Sequence, residues 1–214
     1  PNDKGELRRE ILIAQVRRAA AELLACGSDE ILFCSSATEA NNAVLRSEIA
    51  RAGAKNARFL ISSVEHPSIK NVALDHNCDK IKFELISPEI SEEALLARFD
   101  DTVRFLSIMY VNNETGSIFE VKKLARAVKN HFPATVIHCD AAQAPVAVDL
   151  AGLAEDIDFI TLSGHKALAL PGAGILYKKK SAPLHPFRIG GGQEKGIFSG
   201  TENVAAIASL GPAL

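Results

Sequence analysis

An aspartate and a lysine each follow an apolar, strand-like run in the second half of this 214-residue chain. Asp140 ends the run IHCD, and Lys166 follows the run IDFITL through the turn SGHK. A lysine amine can form a Schiff base with the aldehyde of pyridoxal phosphate, while an aspartate can pair with the pyridinium nitrogen. The anion keeps that nitrogen protonated, because an opposite charge nearby favours the charged form. The two residues therefore indicate the chemistry of a pyridoxal phosphate site.

A simpler interpretation competes with this one, since a single aspartate or lysine near a strand end is usually a solvated loop residue. The residues beside Lys166 weaken that alternative. Ser163 and Gly164 precede it, and a glycine with a hydroxyl suits a tight turn that approaches a ligand closely.

The composition excludes several classes of function. Hydrophobic residues make up 47% and charged residues 23% of the chain, and the formal net charge is −2. Such values are ordinary for a globular protein of one domain with a substantial core. They give no electrostatic argument for a nucleic acid or membrane partner, and no apolar run is long enough to span a bilayer. We expect neither partner.

The cysteines form no recognisable metal or redox motif. Cys26, Cys34, Cys78 and Cys139 include no CxxC pair and no paired Cys/His spacing, so we expect no metal site. Free thiols suit a reducing compartment, which predicts a cytoplasmic location. The chain begins at Pro1 and ends at Leu214 in an Ala-rich segment, and we expect it to be a fragment of a longer chain.

Strand-like and helix-like segments alternate along the sequence. This alternation predicts a three-layer α/β/α domain with a mostly parallel, mixed sheet. The short connection between the last two strands favours antiparallel pairing there, because a parallel crossover needs a dozen or more residues. The predicted strands are 30–34, 58–62, 81–85, 103–109, 135–139, 158–162 and 174–177, and the predicted helices are 6–24, 38–52, 68–76, 91–99, 120–130 and one opened by 199–202.

Polar clusters follow five of the predicted strands. In such sheets ligands bind at the carboxyl ends of the strands, and five clusters at one edge are hard to explain by solvated loops alone. The clusters are Ser35 to Glu39, Glu65 with His66, Asn112 to Glu114, Asp140 to Gln143, and Ser163 to Lys166.

Two turns have the S-x-x-E spacing of a capping box. In the first, Ser36 to Glu39, a plain N-cap is the simpler interpretation. The functional interpretation is a phosphate cradle, in which the free backbone N–H groups at Ala37 and the Thr38 hydroxyl face an anion. The second turn, Ser199 to Glu202, follows a Gly190–Gly192 loop and is a second candidate phosphate contact.

Other polar residues in these clusters suit a pyridine ring and its phosphate. A lone histidine is more often structural, but His66 could stack on the ring and move protons near neutral pH. Asn113 and Gln143 could bond a ring hydroxyl without adding charge. Ser163 and His165, beside the lysine, could hold the phosphate.

With those residues identified, the chain closely resembles the large domain of cysteine desulfurases. These enzymes belong to the class V aminotransferase group of fold-type I pyridoxal phosphate enzymes. Six matching segments span nearly the whole chain in order. They are SSATEANN, SSVEHPSI, YVNNETGSI, HCDAAQAPVAVDL, DFITLSGHK, and GGGQEKG with SGTEN.

The resemblance implies a role for each matching residue. Lys166 is implied to be the Schiff-base lysine, Asp140 the pyridinium partner, and His66 the stacking histidine and a proton carrier. The remaining implied roles are ring-oxygen contacts for Asn113 and Gln143 and phosphate ligands for Thr38, Ser163 and His165, with Thr201 reaching across a homodimer into the partner's site.

The resemblance also implies an activity. A desulfurase takes sulfur from L-cysteine, leaving alanine and an enzyme persulfide, and passes it to an acceptor or scaffold protein for iron–sulfur clusters or thiolated cofactors. The related alternatives are a selenocysteine lyase and a class V aminotransferase. A cofactor-binding domain without turnover is the non-enzyme alternative.

Several features depart from the family pattern. Ser36 replaces a usual glycine, Phe198 stands where arginine is common, and ALALPGAG follows Lys166. The family also has a second, smaller domain that carries the nucleophilic cysteine and an arginine for the substrate carboxylate. Neither residue can be located here, so we assign no cysteine as nucleophile and expect this chain alone to be inactive.

Overall fold

The computed structural model describes residues 3–53, 56–75 and 80–214. Helices and strands alternate through most of this length, as the sequence predicts. The elements are α1 (Asp3–Leu24), β1 (Ile31–Cys34), α2 (Ala37–Ala52), β2 (Ala57–Ser62), α3 (Pro67–Asp75), β3 (Ile81–Ile86), α4 (Glu92–Leu96), β4 (Val103–Met109), α5 (Val121–His131), β5 (Val136–Asp140), β6 (Phe159–Ser163), β7 (Gly174–Lys178) and α6 (Val204–Leu210). None of the described helices is both long and apolar enough to cross a membrane.

The seven strands form one mixed sheet in the order β1-β7-β6-β5-β4-β2-β3. The pairs from β6 to β3 along this order are parallel, whereas β7 runs antiparallel to both β6 and β1. This confirms the mostly parallel mixed sheet and the antiparallel pairing of the last two strands. Because β7 reverses direction, β1 points the same way as β6, and its carboxyl end lies at the same edge.

Apolar side chains on the two faces of the sheet pack against different helices. Ile31 and Phe33 join a core with α1, α4, α5 and α6, whereas Leu32 and Cys34, at alternate positions of the same strand, join a core with α2 and α3. A strand points successive side chains to opposite faces. The alternation therefore buries both faces of the sheet and confirms the three-layer α/β/α architecture.

Helix boundaries differ from the predictions at two points. The last helix begins at Val204, and its N-cap is Asn203, whose side-chain oxygen accepts the Ala206 N–H at 3.2 Å. The predicted opening at Ser199 to Glu202 is wrong, because Gly200 has a φ of 136°, which no helix start adopts. The helix predicted over 91–99 is shorter than expected, and residue 76, the predicted end of α3, lies outside the described residues.

A buried ion pair anchors the loop that precedes α6. The Glu194 carboxylate accepts two bonds from the Arg17 guanidinium, at 2.7 and 3.0 Å, and one from the Phe33 N–H at 2.8 Å. The Glu194 side chain is only 4% exposed, and the guanidinium also lies 4.7 Å from the centre of the Phe33 ring. One carboxylate thus holds the loop against both α1 and β1.

We expect Arg17→Met to lower the free energy of unfolding by about 3–5 kcal/mol, because it leaves the buried Glu194 carboxylate unpaired. Arg126→Met is the matched control, since Arg126 bonds Glu155 and Asp156 at an exposed site. We expect that change to cost less than about 1 kcal/mol. Urea unfolding measures both values, and equal losses would contradict the anchoring role of Glu194.

Candidate cofactor site

A cavity of about 260 Å³ opens at the carboxyl edge of the sheet. It collects nine of the ten residues predicted for the site, which come from five separate segments of the chain. They are Ala37, Thr38, His66, Asn113, Asp140, Gln143, Ser163, His165 and Lys166. The carboxyl ends of β1, β2, β4, β5 and β6 all lie at this edge, so the polar clusters that follow these strands lie close together.

Thr201 is the tenth predicted residue, and it does not line this cavity. It lines a second, smaller cavity of about 120 Å³ together with Cys34, Arg188 and Glu194. The Thr201 side chain is exposed. Its assignment to the site of a partner subunit stays a prediction.

The first turn of α2 lies directly at the cavity. The Ser36 hydroxyl caps this turn by accepting the Glu39 N–H at 3.2 Å, and Glu39 in turn bonds the N–H and hydroxyl of Ser35. A Cβ on Gly174 of β7 would lie 2.8 Å from the Ser36 carbonyl carbon. Only glycine therefore lets the start of α2 rest against the sheet, where the helix dipole favours an anion.

The lysine is presented by a tight turn after β6. A Cβ on Gly164 would lie 2.6 Å from the Ala173 carbonyl oxygen, so the turn can close only with glycine there. The Lys166 side chain is exposed, and none of the ion pairs or side-chain hydrogen bonds within the described ranges involves it. The Lys166 amine is thus free to react or bind. Beside this lysine, the Ser163 hydroxyl and His165 Nδ1 lie 3.1 Å apart.

Asp140 forms a buried carboxylate in the wall of the cavity and is 3% exposed. Its Oδ1 accepts the Ala142 N–H at 3.0 Å, and its Oδ2 accepts Nδ2 of Asn41 at 2.7 Å. Burial raises the pKa of Asp140 above its ordinary value, although the two hydrogen bonds and the nearby His66 act in the opposite direction. No ion pair in the described part of the chain neutralises this carboxylate, so it is poised to bind a cationic group.

His66 is half-buried at the cavity and is held by the residue two positions later. The Ser68 N–H donates to His66 Nδ1 at 3.1 Å, and the Ser68 hydroxyl lies 2.8 Å from the same nitrogen. Asn41 and Ser68 are the functional candidates that sequence reasoning missed. Both stand in the matching segments SSATEANN and SSVEHPSI, and that placement was the only signal for them.

A row of buried polar side chains crosses the same face of the sheet below Asp140. The Ser107 hydroxyl lies 3.2 Å from Glu65 Oε1 and 3.0 Å from His138 Nδ1, and His138 Nε2 lies 3.1 Å from the Thr161 hydroxyl. Burial lowers the pKa of His138 to about 3. Burial, followed by the charge of Asp140, raises the pKa of Glu65 well above its usual range. Burial therefore favours the neutral forms of both titratable groups in this row.

Comparison with known proteins identifies the family. Residues 7–214 match the family model described as aminotransferase class-V. The chain belongs to this family. It is 33% identical to a cysteine desulfurase of Nostoc sp. over 98% of this chain and 52% of the relative. It is 32% identical to the cysteine desulfurase IscS of Dictyoglomus turgidum over 94% of this chain and 52% of the relative.

Solved structures of similar proteins share the fold of this class-V chain. A NifS-like protein matches 97% of it with a TM-score of 0.88 and 28% identity, and 58% of that protein is covered. SspA in complex with cysteine matches 100% of this chain with a TM-score of 0.90 and 28% identity, and the match covers 62% of SspA. The chain spans about half the length of the curated relatives that it matches.

The thiols of this class-V chain are poorly suited to attack. Cys34 and Cys139 are buried, and burial raises the pKa of each well above its usual value. Cys26 is half-buried, and burial, followed by the charge of Glu30, raises its pKa to about 12. Only the thiolate is nucleophilic, so these three cysteines are almost entirely protonated at neutral pH. Cys78 lies outside the described residues.

We expect Cys26, Cys34 and Cys139 to resist iodoacetamide at pH 8 in the folded protein, because raised pKa values leave almost no thiolate. A Cys78→Ser background restricts the readout to these three, and mass spectrometry counts the labels. Full labelling after unfolding in urea is the control. Fast labelling of any of the three before unfolding would contradict its placement.

Proposed function

We propose that this chain is the cofactor-binding large domain of a pyridoxal-phosphate-dependent cysteine desulfurase. The observation that carries the proposal is one cavity that brings together Lys166, Asp140 and the first turn of α2. The similarity to cysteine desulfurases over almost the whole chain supports the same activity. The likeness to SspA in complex with cysteine supports L-cysteine as the substrate.

The residues of the cavity fit the cofactor. Asp140 is a buried carboxylate without an ion-pair partner in the described ranges, and a protonated ring nitrogen would supply the missing positive charge. Pyridoxal phosphate, when bound, supplies an aldehyde for a lysine and a ring that accepts electrons from a substrate carbanion. The free amine of Lys166 stands on the same cavity.

Each remaining side chain has a task in this proposal. With the cofactor bound, His66 would stack on the ring and carry protons, while Asn113 and Gln143 would donate hydrogen bonds to the ring oxygen. The backbone N–H groups of Ala37 and Thr38 in the first turn of α2, together with the helix dipole, would hold the phosphate. The hydroxyl of Ser163 and the imidazole of His165 complete that anion site.

The proposal extends to assembly and setting. The protein forms a homodimer in which Thr201 contributes to the phosphate site of the other subunit, and this would account for its place outside the Lys166 cavity. Sulfur passes to an acceptor or scaffold protein for iron–sulfur clusters or thiolated cofactors. A cytoplasmic location agrees with three free thiols among the described residues.

We expect borohydride reduction of the protein incubated with pyridoxal phosphate to label Lys166, because its amine is free and the residue lines the same cavity as Asp140. Peptide mapping by mass spectrometry identifies the labelled lysine. Lys166→Ala should lose the label, whereas Lys123→Ala, an exposed change on α5, should retain it. A pyridoxyl group on another lysine of the wild-type chain would overturn the site assignment.

We expect this 214-residue chain, loaded with pyridoxal phosphate, to release no sulfide from L-cysteine at an enzymatic rate. Desulfuration needs a thiolate within reach of the substrate sulfur, and Cys26, Cys34 and Cys139 are held as protonated thiols. An assay for sulfide and alanine measures this, with a full-length relative as positive control. Robust turnover that disappears on mutation of one of these cysteines would contradict the expectation.

A further inference from the structure

The Asn41 amide makes two hydrogen bonds in the interior beside the cavity. Asn41 lies in the second turn of α2 and is 1% exposed. Its Nδ2 donates to Asp140 Oδ2 at 2.7 Å and to the Ser68 hydroxyl at 2.9 Å. The reversed amide would set its carbonyl oxygen against the carboxylate, which is repulsive. The carboxylate therefore fixes the orientation of the amide, and both Nδ2 hydrogens are used.

The second of these bonds leads to His66. A backbone N–H can only donate, so His66 Nδ1, which receives the Ser68 N–H, must be an acceptor. The neutral imidazole then carries its proton on Nε2. The Ser68 hydroxyl accepts from Asn41, and its own hydrogen is left to point at Nδ1, 2.8 Å away. The donor direction along this chain runs from Asn41 through Ser68 to His66.

We propose that Asn41 is a positioning residue whose one amide fixes the Asp140 carboxylate and, by donating to the Ser68 hydroxyl, directs the hydrogen of that hydroxyl to His66 Nδ1. Asp140 Oδ1 is already held by the Ala142 N–H, so the Asn41 bond to Oδ2 completes the orientation of the carboxylate. The inference deepens the proposed function and rests on it for the meaning of the two groups, which line one cavity. Asn41 itself acts through Asp140 and Ser68.

Asn41 therefore influences two groups of the cavity at once, Asp140 and His66. The carboxylate that would hold the ring nitrogen bonds the Asn41 amide directly, and the imidazole that would stack on the ring is linked to the same amide through the Ser68 hydroxyl. A loss of Asn41 therefore affects both groups, whereas a loss of the Ser68 hydroxyl affects the imidazole. This difference between two variants distinguishes a positioning role from a general packing defect.

The test uses the cofactor-free protein, so it does not depend on turnover. ¹⁵N NMR of the imidazole, assigned with His66→Gln, reports which ring nitrogen carries the proton when the ring is neutral. ¹³C NMR of the carboxyl reports the titration of Asp140. Asn42→Ala is the matched control, because the neighbouring amide bonds the Thr38 and Ser68 carbonyl oxygens and neither Asp140 nor His66.

In the wild type and in Asn42→Ala we expect the Nε2–H tautomer to predominate. Asn41→Ala should raise the titration midpoint of Asp140, because the charged form loses a hydrogen bond, and should shift the ¹⁵N resonance of His66 Nδ1, because the Ser68 hydroxyl loses the donor that orients it. Ser68→Ala should shift that resonance too and leave the Asp140 midpoint near that of the wild type. The Nε2–H tautomer should predominate in both variants, because the Ser68 N–H still donates to Nδ1. Asn41→Ala should also weaken pyridoxal phosphate binding about tenfold, the equivalent of ~1.4 kcal/mol.

A wild-type His66 with its proton on Nδ1 would overturn the inference without any variant. An unchanged Asp140 midpoint in Asn41→Ala would overturn it as well. If Asn41→Ala does not fold, Ser68→Ala decides, since an unchanged Nδ1 resonance there contradicts the donation from the Ser68 hydroxyl to His66. Failure of the wild type to bind pyridoxal phosphate would instead count against the proposed function alone.

Discussion

The site depends on keeping one carboxylate, Asp140, charged while it is buried. A buried charge is costly unless it is hydrogen-bonded or paired, and Asp140 lies between the neighbouring strands β4 and β6 at 3% exposure. The turn after β5 supplies one donor, and α2 supplies the other through Asn41. That second donor requires α2 to lie close to the sheet, and Gly174 permits this approach. The packing of α2 against the sheet therefore also determines how the charge of Asp140 is stabilised.

The sequence predicted the edge of the sheet and most of the cavity because parallel strands bring their carboxyl ends together. Once β-branched runs and intervening helices are assigned, residues as distant as Thr38 and Lys166 must meet there. Asn41 and Ser68 could not be found this way. Asn41 is followed by a second asparagine, and helical periodicity does not tell which of two adjacent amides faces the interior. The distance between α2 and the sheet determines which amide is buried, and that distance depends on tertiary packing.

Two turns with the same capping spacing behave differently, which shows the limit of a local motif. Ser36 caps α2, and Glu39 reaches back to the preceding residue. Ser199 has the same S-x-x-E pattern, yet its hydroxyl is buried without a partner in the described structure, and α6 begins later. The positive φ at Gly200 interrupts any helix there. The motif specifies a possible cap, but the backbone between its two ends determines whether a helix begins.

The electrostatics that suit a cationic ring also disfavour a thiolate in the same region. Asp140 and Glu65 are the carboxyl groups that, after burial, raise the pKa of Cys139. Glu39, whose carboxylate stabilises the first turn of α2, likewise follows burial in raising the pKa of Cys34. A nucleophilic sulfur needs an opposite environment, with nearby positive charge or access to water. In the proposed desulfurase, holding a cation and presenting a thiolate are therefore best served by separate segments, and a cysteine acting at this cavity would be one other than those buried around it.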